Sequence, residues 1–214
     1  MNLREFVTAF FVEPIYKGFD ASQYKLDLYG WGSTSPVFEH IINLMRPTNI
    51  LELGTWKGAS AVHMAKLCKQ RNIDATLVCV DTWLGSNPVL WEGDLRKDLM
   101  LKFGFPQMYY QFLANVVHSE CQDIITPLPM TSFAAANLFQ KMGVVFDCIY
   151  VDSSHDLDET YIELTRFYSL LRPGGVIFGD DYSQPGVTTS VNRFGYEKGL
   201  MLAIQDNKWI LQKP

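Results

Sequence analysis

Asn49-Ile-Leu-Glu-Leu-Gly-Thr-Trp-Lys-Gly-Ala-Ser60 decides the fold. Its first five residues form a short apolar run, as in a strand buried on both faces. Gly54 then permits a tight turn. Gly58 lets the next helix begin close to the strand and lets a ligand approach the backbone. That helix is predicted from Gly58 to Lys69, with Ala61, Met64, Ala65 and Cys68 at helical spacing. A strand, a glycine turn and a helix in this order open a βαβ unit.

The alternation continues outward. Strands are predicted at Ala75–Val80, ending at Asp81, at Ile124–Leu128, and at Phe146–Val151, ending at Asp152. Helices are predicted at Ser132–Met142 and Leu157–Leu171. Arg172-Pro-Gly-Gly175 stops the second, because proline cannot continue a helix and glycine takes the turn dihedrals. A strand follows from Val176 to Gly179 and ends at Asp180. Met201–Ile204 and Trp209–Leu211 read as a closing β-hairpin. The pattern is α/β: a doubly wound, mostly parallel sheet with a C-terminal antiparallel hairpin. Two segments lie outside it. In residues 1–47, Ser35-Pro36 reads as an N-cap followed by a first-turn proline, starting a helix through Met45. Residues 83–120 form an insertion, predicted helical from Asp98 to Val117.

Composition sets the limits. The chain has 214 residues, 18 Lys+Arg against 23 Asp+Glu, 48% hydrophobic and 19% charged residues. One domain with a substantial core is expected. The acidic balance argues against a nucleic-acid partner. No apolar run reaches the roughly 18–20 residues that span a bilayer. Met1–Pro14 lacks the basic start and cleavage site of a signal peptide. Cys68, Cys79, Cys121 and Cys148 are scattered without a CxxC pair, so a reducing cytoplasm is expected.

In such a sheet, ligands bind beyond the carboxyl ends of the strands. Trp56 stands where a dinucleotide motif needs its middle glycine, so a pyrophosphate is disfavoured. Glu52 would repel a phosphate but suits an ammonium group. Asp81 can accept the hydroxyls of a ribose, or it can cap the following turn. A nucleoside with a positive tail is S-adenosylmethionine. Asp152, Asp180 and Asp181 end two neighbouring strands, which lie about 4.8 Å apart. Their mutual repulsion would be relieved by a hard divalent cation, Mg²⁺ by preference; alternatively Asp180-Asp181 cap the loop before the last helix. His155, three residues after Asp152, can take a proton from a substrate hydroxyl, or serve only the structure. His40, His63 and His118 have no such context.

Together these residues resemble the class I S-adenosylmethionine-dependent methyltransferases, and more narrowly the metal-dependent O-methyltransferases. Ile50-Leu-Glu-Leu-Gly-Thr-Trp-Lys-Gly-Ala-Ser60 is similar to the first cofactor motif of the catechol branch. Tyr150-Val-Asp-Ser-Ser-His-Asp156 and Leu171-Arg-Pro-Gly-Gly-Val-Ile-Phe-Gly-Asp-Asp-Tyr182 resemble the branch that acts on sugar hydroxyls of macrolides. The resemblance implies a Rossmann-like seven-stranded sheet. It divides the chain into a lid or oligomerisation segment at 1–47 and a methyltransferase domain at 48–214.

It also implies site roles. Glu52, Gly54, Thr55 and Ser60 would hold the methionine end of the cofactor. Asp81 would take the ribose, with Thr82 and Trp83 beside the adenosine and Ser132 and Phe133 at the adenine. Asp152, Asp180 and Asp181 would hold the metal, Asp152 also bordering the cofactor. His155, with Asp152, would act in catalysis. In the catechol branch a lysine stands at the position of His155. An asparagine is the third metal ligand there, so Asp181 follows the sugar-modifying branch. The expected acceptor is a small molecule carrying a hydroxyl. Trp31, Trp83, Trp91, Tyr109 and Tyr110 are candidates for its pocket or for the core. Phe6, Phe10, Phe11 and Ile15 suggest a contact between copies of the chain. The alternatives are a metal-independent methyltransferase, a non-catalytic S-adenosylmethionine-binding protein and, disfavoured by Trp56, a nicotinamide dehydrogenase. The five acids assigned to the crevice match the formal charge of −5, so the acidity needs no basic macromolecular partner.

Overall fold

The structure, a computed structural model, describes residues 1–85, 88–153 and 155–214. Ser154, inside the second quoted motif, and Ser86 and Asn87, inside the insertion, lie outside the described residues. Helices are α1 (Leu3–Phe10), α2 (Pro36–Met45), α3 (Ala59–Gln70), α4 (Met108–His118), α5 (Ser132–Met142), α6 (Leu157–Ser169) and α7 (Pro185–Lys198). Strands are β1 (Asn49–Leu53), β2 (Thr76–Asp81), β3 (Ile125–Pro129), β4 (Phe146–Val151), β5 (Leu171–Gly179), β6 (Leu202–Gln205) and β7 (Lys208–Gln212).

They form one seven-stranded sheet in the order β3-β2-β1-β4-β5-β7-β6. β1 to β5 pair in parallel, and β7 runs antiparallel to both β5 and β6. Strand order reverses between β1 and β4, the place where doubly wound sheets open a crevice. The register makes that crevice chemical. Leu53 pairs with Val80 and with Val151, and Val151 pairs with Gly179. The next residue along each strand is Gly54, Asp81, Asp152 or Asp180. Four chemically special positions therefore emerge side by side at one edge.

Side chains alternate across the strands into two buried layers. Ile50, Leu77, Cys79, Cys148, Tyr150 and Phe178 pack with α2, α3 and α4. Leu51, Leu53, Val78, Val80, Ile149 and Ile177 pack with α1, α5, α6 and α7. The N-terminal segment joins both layers. Asn2 and Glu5 close a capping box on α1, which buries Leu3 and Phe6 against the second layer. The Tyr16 hydroxyl then donates to the Ile125 carbonyl at 2.9 Å, and Ile15, Tyr16 and Phe19 pack on the first layer. Phe6 thus fills its own core, which removes it from any surface for association; Phe10 stays exposed.

Two expected elements change. β5 begins at Leu171, not Val176. Leu171 pairs with Phe146, and the register shifts before Cys148 pairs with Val176. Gly174 and Gly175 are also bonded to Lys213 on the other side. The Arg172-Pro-Gly-Gly175 run is therefore an irregularity inside a strand, because sheet neighbours on both sides hold it. In the insertion, the single helix from Asp98 to Val117 is not formed. A 3₁₀ helix at Gly93–Leu99 is followed by a break before α4. Met100, Phe103 and Gly104 take left-handed dihedrals there, and Pro106 disfavours helix at the residue before it. Among the described residues, no helix is long and apolar enough to cross a membrane.

Candidate active site

The crevice at the carboxyl edge has a volume of about 1000 Å³. Its floor is the turn after β1. Gly54 has φ +73°, and a Cβ there would stand 2.2 Å from the Asp152 carbonyl oxygen. Only glycine lets β1 and β4 release their chains this close together. Asp81 braces the turn from β2. One carboxylate oxygen accepts the amides of Thr55 and Trp56 at 3.0 and 2.9 Å, and the other accepts the Trp83 amide at 2.8 Å. A carboxylate offers about four acceptor positions, so the capping role leaves room for a further donor. Asp81 also lines the crevice.

Glu52 lies underneath. It is fully buried and does not line the crevice. Its oxygens accept hydrogen bonds from Ser60, from Thr55 at 3.1 Å and from the Cys79 thiol at 3.5 Å. Burial, aided by the Asp152 charge, pushes its carboxyl up to about 8. Glu52 itself does not reach the crevice, whereas its hydrogen-bond partners Ser60 and Thr55 line it. Of the two fates open to Trp83, pocket or core, the structure shows the core. Trp83 is buried, packed on Tyr109 and Phe112, and its indole donates to the Trp56 carbonyl at 2.8 Å. The core claims it because Asp81 captures its amide and turns the ring inward. Thr82, Ser132, Phe133 and Asp152 line the crevice. The Arg166 guanidinium stacks 3.9 Å from the Phe133 ring centroid.

The acid cluster is divided. One ligand atom each from Asp152, His155 and Asp181 converges within 4.8 Å. His155 Nε2 lies 2.8 Å from Asp181 Oδ2 and 3.8 Å from Asp152 Oδ1. The two carboxylates push the imidazole up to about 10. His155 in turn holds Asp181 below the usual carboxylate range. The same Nε2 is buried and makes no aligned hydrogen bond among the described residues. The two carboxylates offer hard oxygen donors that fit a divalent cation, with the His155 ring beside them. Asp180 is not part of this group. Its Oδ2 accepts from the Lys208 ammonium at 2.5 Å, and its Oδ1 accepts the Asp181 amide at 2.8 Å. Burial nevertheless holds the Asp180 carboxyl above its ordinary value. Of the three aspartates expected from sequence, Asp152 and Asp181 converge with His155, while Asp180 is paired with a lysine brought in by β7.

Tyr29, Trp31 and Trp56 wall one side. Trp31 and Trp56 stack with centroids 5.0 Å apart at 5°. Behind them Lys57 is buried between Asp27 at 2.6 Å and Asp98 at 2.7 Å. The Asn115 amide donates to the carbonyls of Asp27 and Lys57 at 2.6 and 2.8 Å. Lys57 and Asn115 therefore lock the N-terminal segment and the insertion to the glycine turn. Lys208, Lys57 and Asn115 were missed from sequence. The one available signal was a lysine heading the apolar run Trp209-Ile-Leu211. Of the other histidines, the His118 ring contacts the Ala21 and Tyr24 carbonyls and His63 packs edge-on to Phe38.

Residues 51–182 match the family model for the methyltransferase domain, and the chain belongs to that family. The fold is that of solved O-methyltransferases. The Bacillus cereus O-methyltransferase in complex with SAH superposes with a TM-score of 0.60 at 15% identity, over 97% of this chain and 88% of that one. The O-methyltransferase TomG from Streptomyces achromogenes, of tomaymycin synthesis and in complex with SAM, gives 0.58 at 16%, over 88% and 83%. The calicheamicin methyltransferase CalS11 gives 0.61 at 18%, over 82% and 77%. No curated protein matches the chain by sequence.

Proposed function

We propose that the protein transfers the methyl group of S-adenosylmethionine to a hydroxyl of a small molecule, assisted by a divalent cation at Asp152 and Asp181. The observation that carries this reading is the convergence of Asp152, His155 and Asp181 on one point of the crevice that the glycine turn and Asp81 also line. When bound, S-adenosylmethionine supplies a methyl group on a sulfonium, open to in-line attack. A bound cation lowers the pKa of an acceptor hydroxyl and fixes its direction; carboxylate oxygens admit Mn²⁺ as well as Mg²⁺.

The chain's own residues do the rest. The backbone at Gly54 and Thr55, with the Ser60 hydroxyl, receives the amino-acid end of the cofactor. The remaining acceptor capacity of Asp81 takes a ribose hydroxyl, and Thr82, Ser132 and Phe133 border the base. A cation held by Asp152 and Asp181 would offset the two negative charges that keep a proton on His155; His155 Nε2, left outside its ligands, would then take the acceptor's proton, with Asp181 stabilising the imidazolium. Trp31 and Trp56 exclude water from one side, which strengthens these charges. Four buried free cysteines support a reducing cytoplasm.

Calorimetry with S-adenosylhomocysteine tests the cofactor half, with micromolar binding expected; no binding would sink the central claim. Methyl transfer to a panel of sugar and phenolic hydroxyls, with and without EDTA and in Asp181→Asn, tests the cation half. Activity that survived both EDTA and Asp181→Asn would leave the metal-independent alternative.

A further inference from the structure

We propose that Lys208 is a positioning residue: one buried cation that ties three loops around the acid cluster together and so holds Asp181 on the crevice. Lys208 heads β7 with its side chain fully buried. Its ammonium meets Asp180 Oδ2 at 2.5 Å and the Tyr150 hydroxyl at 3.3 Å, and it faces the rings of Phe38 and Tyr150 at 5.0 and 5.4 Å. A buried ion pair is often no more stabilising than apolar residues of the same volume. Stability alone therefore gives no reason for a lysine here, whereas geometry does.

The first loop follows β5. Asp180 uses its second carboxylate oxygen to accept the Asp181 amide at 2.8 Å, and its carbonyl accepts the Trp209 indole at 3.1 Å. Asp181 is held at φ +56°, a conformation rare for side-chain-bearing residues. In that conformation its carboxylate reaches His155. The second loop is Gly30–Gly32. A Cβ on Gly32, at φ +59°, would lie 2.7 Å from Asp180 Oδ2 and 3.2 Å from Lys208 Nζ. This loop therefore rests on the ion pair, and it carries Trp31 onto Trp56. The third is the β6–β7 turn, where Asn207 accepts the amides of Tyr182 and Ser183 at 2.9 and 2.8 Å. Remove the ammonium, and Asp180 loses the partner that orients it while the Gly32 loop loses its seat.

Part of the test rests on the cation reading above, so two readouts are used on Lys208→Met and Lys208→Met/Asp180→Asn. The first is hydrogen exchange of the whole protein without ligands. Exchange in residues 29–33 and 180–184 should rise about tenfold in Lys208→Met, while α3 stays unchanged. The second is calorimetric titration with Mn²⁺ alone, where affinity should fall about tenfold or more. In the double variant the uncharged carboxamide at position 180 can still accept the Asp181 amide without burying a charge, so residues 180–184 should recover and 29–33 should not. Unchanged exchange in both loops of Lys208→Met, or Mn²⁺ affinity within about twofold of the parent, overturns the proposal. A parent protein that takes up no Mn²⁺ would refute the cation reading instead, and exchange alone would then decide Lys208. Should Lys208→Met fail to fold, the double variant still decides: 29–33 must loosen in it.

Discussion

Replacing Glu52 by glutamine should change how stability depends on pH, by an amount the structure fixes. Glu52 is fully buried, and its carboxyl moves from an ordinary 4.5 up to about 8, burial being the first cause. In the unfolded chain the proton leaves near 4.5; in the fold it stays until about 8. Between those values the folded state holds one more proton than the unfolded state. Stability then falls as pH rises, by about 1.4 kcal/mol per pH unit. From about pH 5.5 to about pH 7.5 this amounts to roughly 3 kcal/mol from this one residue. Glutamine has the shape of the protonated acid; its oxygen accepts from one of the Ser60 and Thr55 hydroxyls and its NH2 donates to the other, yet it does not titrate. Urea unfolding followed by tryptophan fluorescence, at several pH values for both proteins, isolates the effect, because every other group cancels in the difference. Glu52→Gln should gain on the parent by roughly 3 kcal/mol across that interval. A difference that stayed flat with pH would show that Glu52 is ionised in the fold, and the account of a neutral acid beneath the crevice floor would be wrong.

Other perturbations follow from the same geometry. Gly54→Ala places a Cβ 2.2 Å from the Asp152 carbonyl at φ +73°; a loss of roughly 2–4 kcal/mol in urea unfolding, with loss of S-adenosylhomocysteine binding in calorimetry, is expected. Lys57→Met leaves Asp27 and Asp98 facing each other without their shared cation, and roughly 3 kcal/mol should be lost in the same unfolding assay. Asp81→Asn keeps a side-chain acceptor for the turn amides of Thr55 and Trp56 but weakens the ribose site. Calorimetry should show roughly tenfold weaker cofactor binding; because the carboxamide nitrogen cannot accept the Trp83 amide, stability should fall by roughly 1–3 kcal/mol, and Asp81→Ala should lose more of both.

Much of the fold was legible because the apolar runs are short and separated by helical periods, which leaves a doubly wound sheet as the natural packing. The expected strand-end acids do stand at the carboxyl edge, since residues that directly follow paired strands must emerge there. Elements failed where neighbours, not local pattern, decide. Arg172-Pro-Gly-Gly175 carries a turn signature but is held between Phe146 and Lys213. A helix from Asp98 to Val117 would cross Pro106, a breaker whose effect on the residue before it outweighs the apolar spacing.

Sequence by itself determined the strand–turn–helix opening at Asn49–Ser60, the need for glycine at 54, and the acids that would stand at strands β2, β4 and β5. These depend on spacing along the chain, and a parallel sheet turns that spacing into position. Only the tertiary structure decided what each acid does. Asp81 and Glu52 differ because one stands at the crevice edge and the other beneath its floor, where desolvation favours the proton. Asp180 and Asp181 are adjacent in sequence, yet one faces a lysine at the head of β7 and the other a histidine after β4. That choice rests on the antiparallel return of the last strand and on one left-handed residue, and it has no local signature because both partners come from distant parts of the chain.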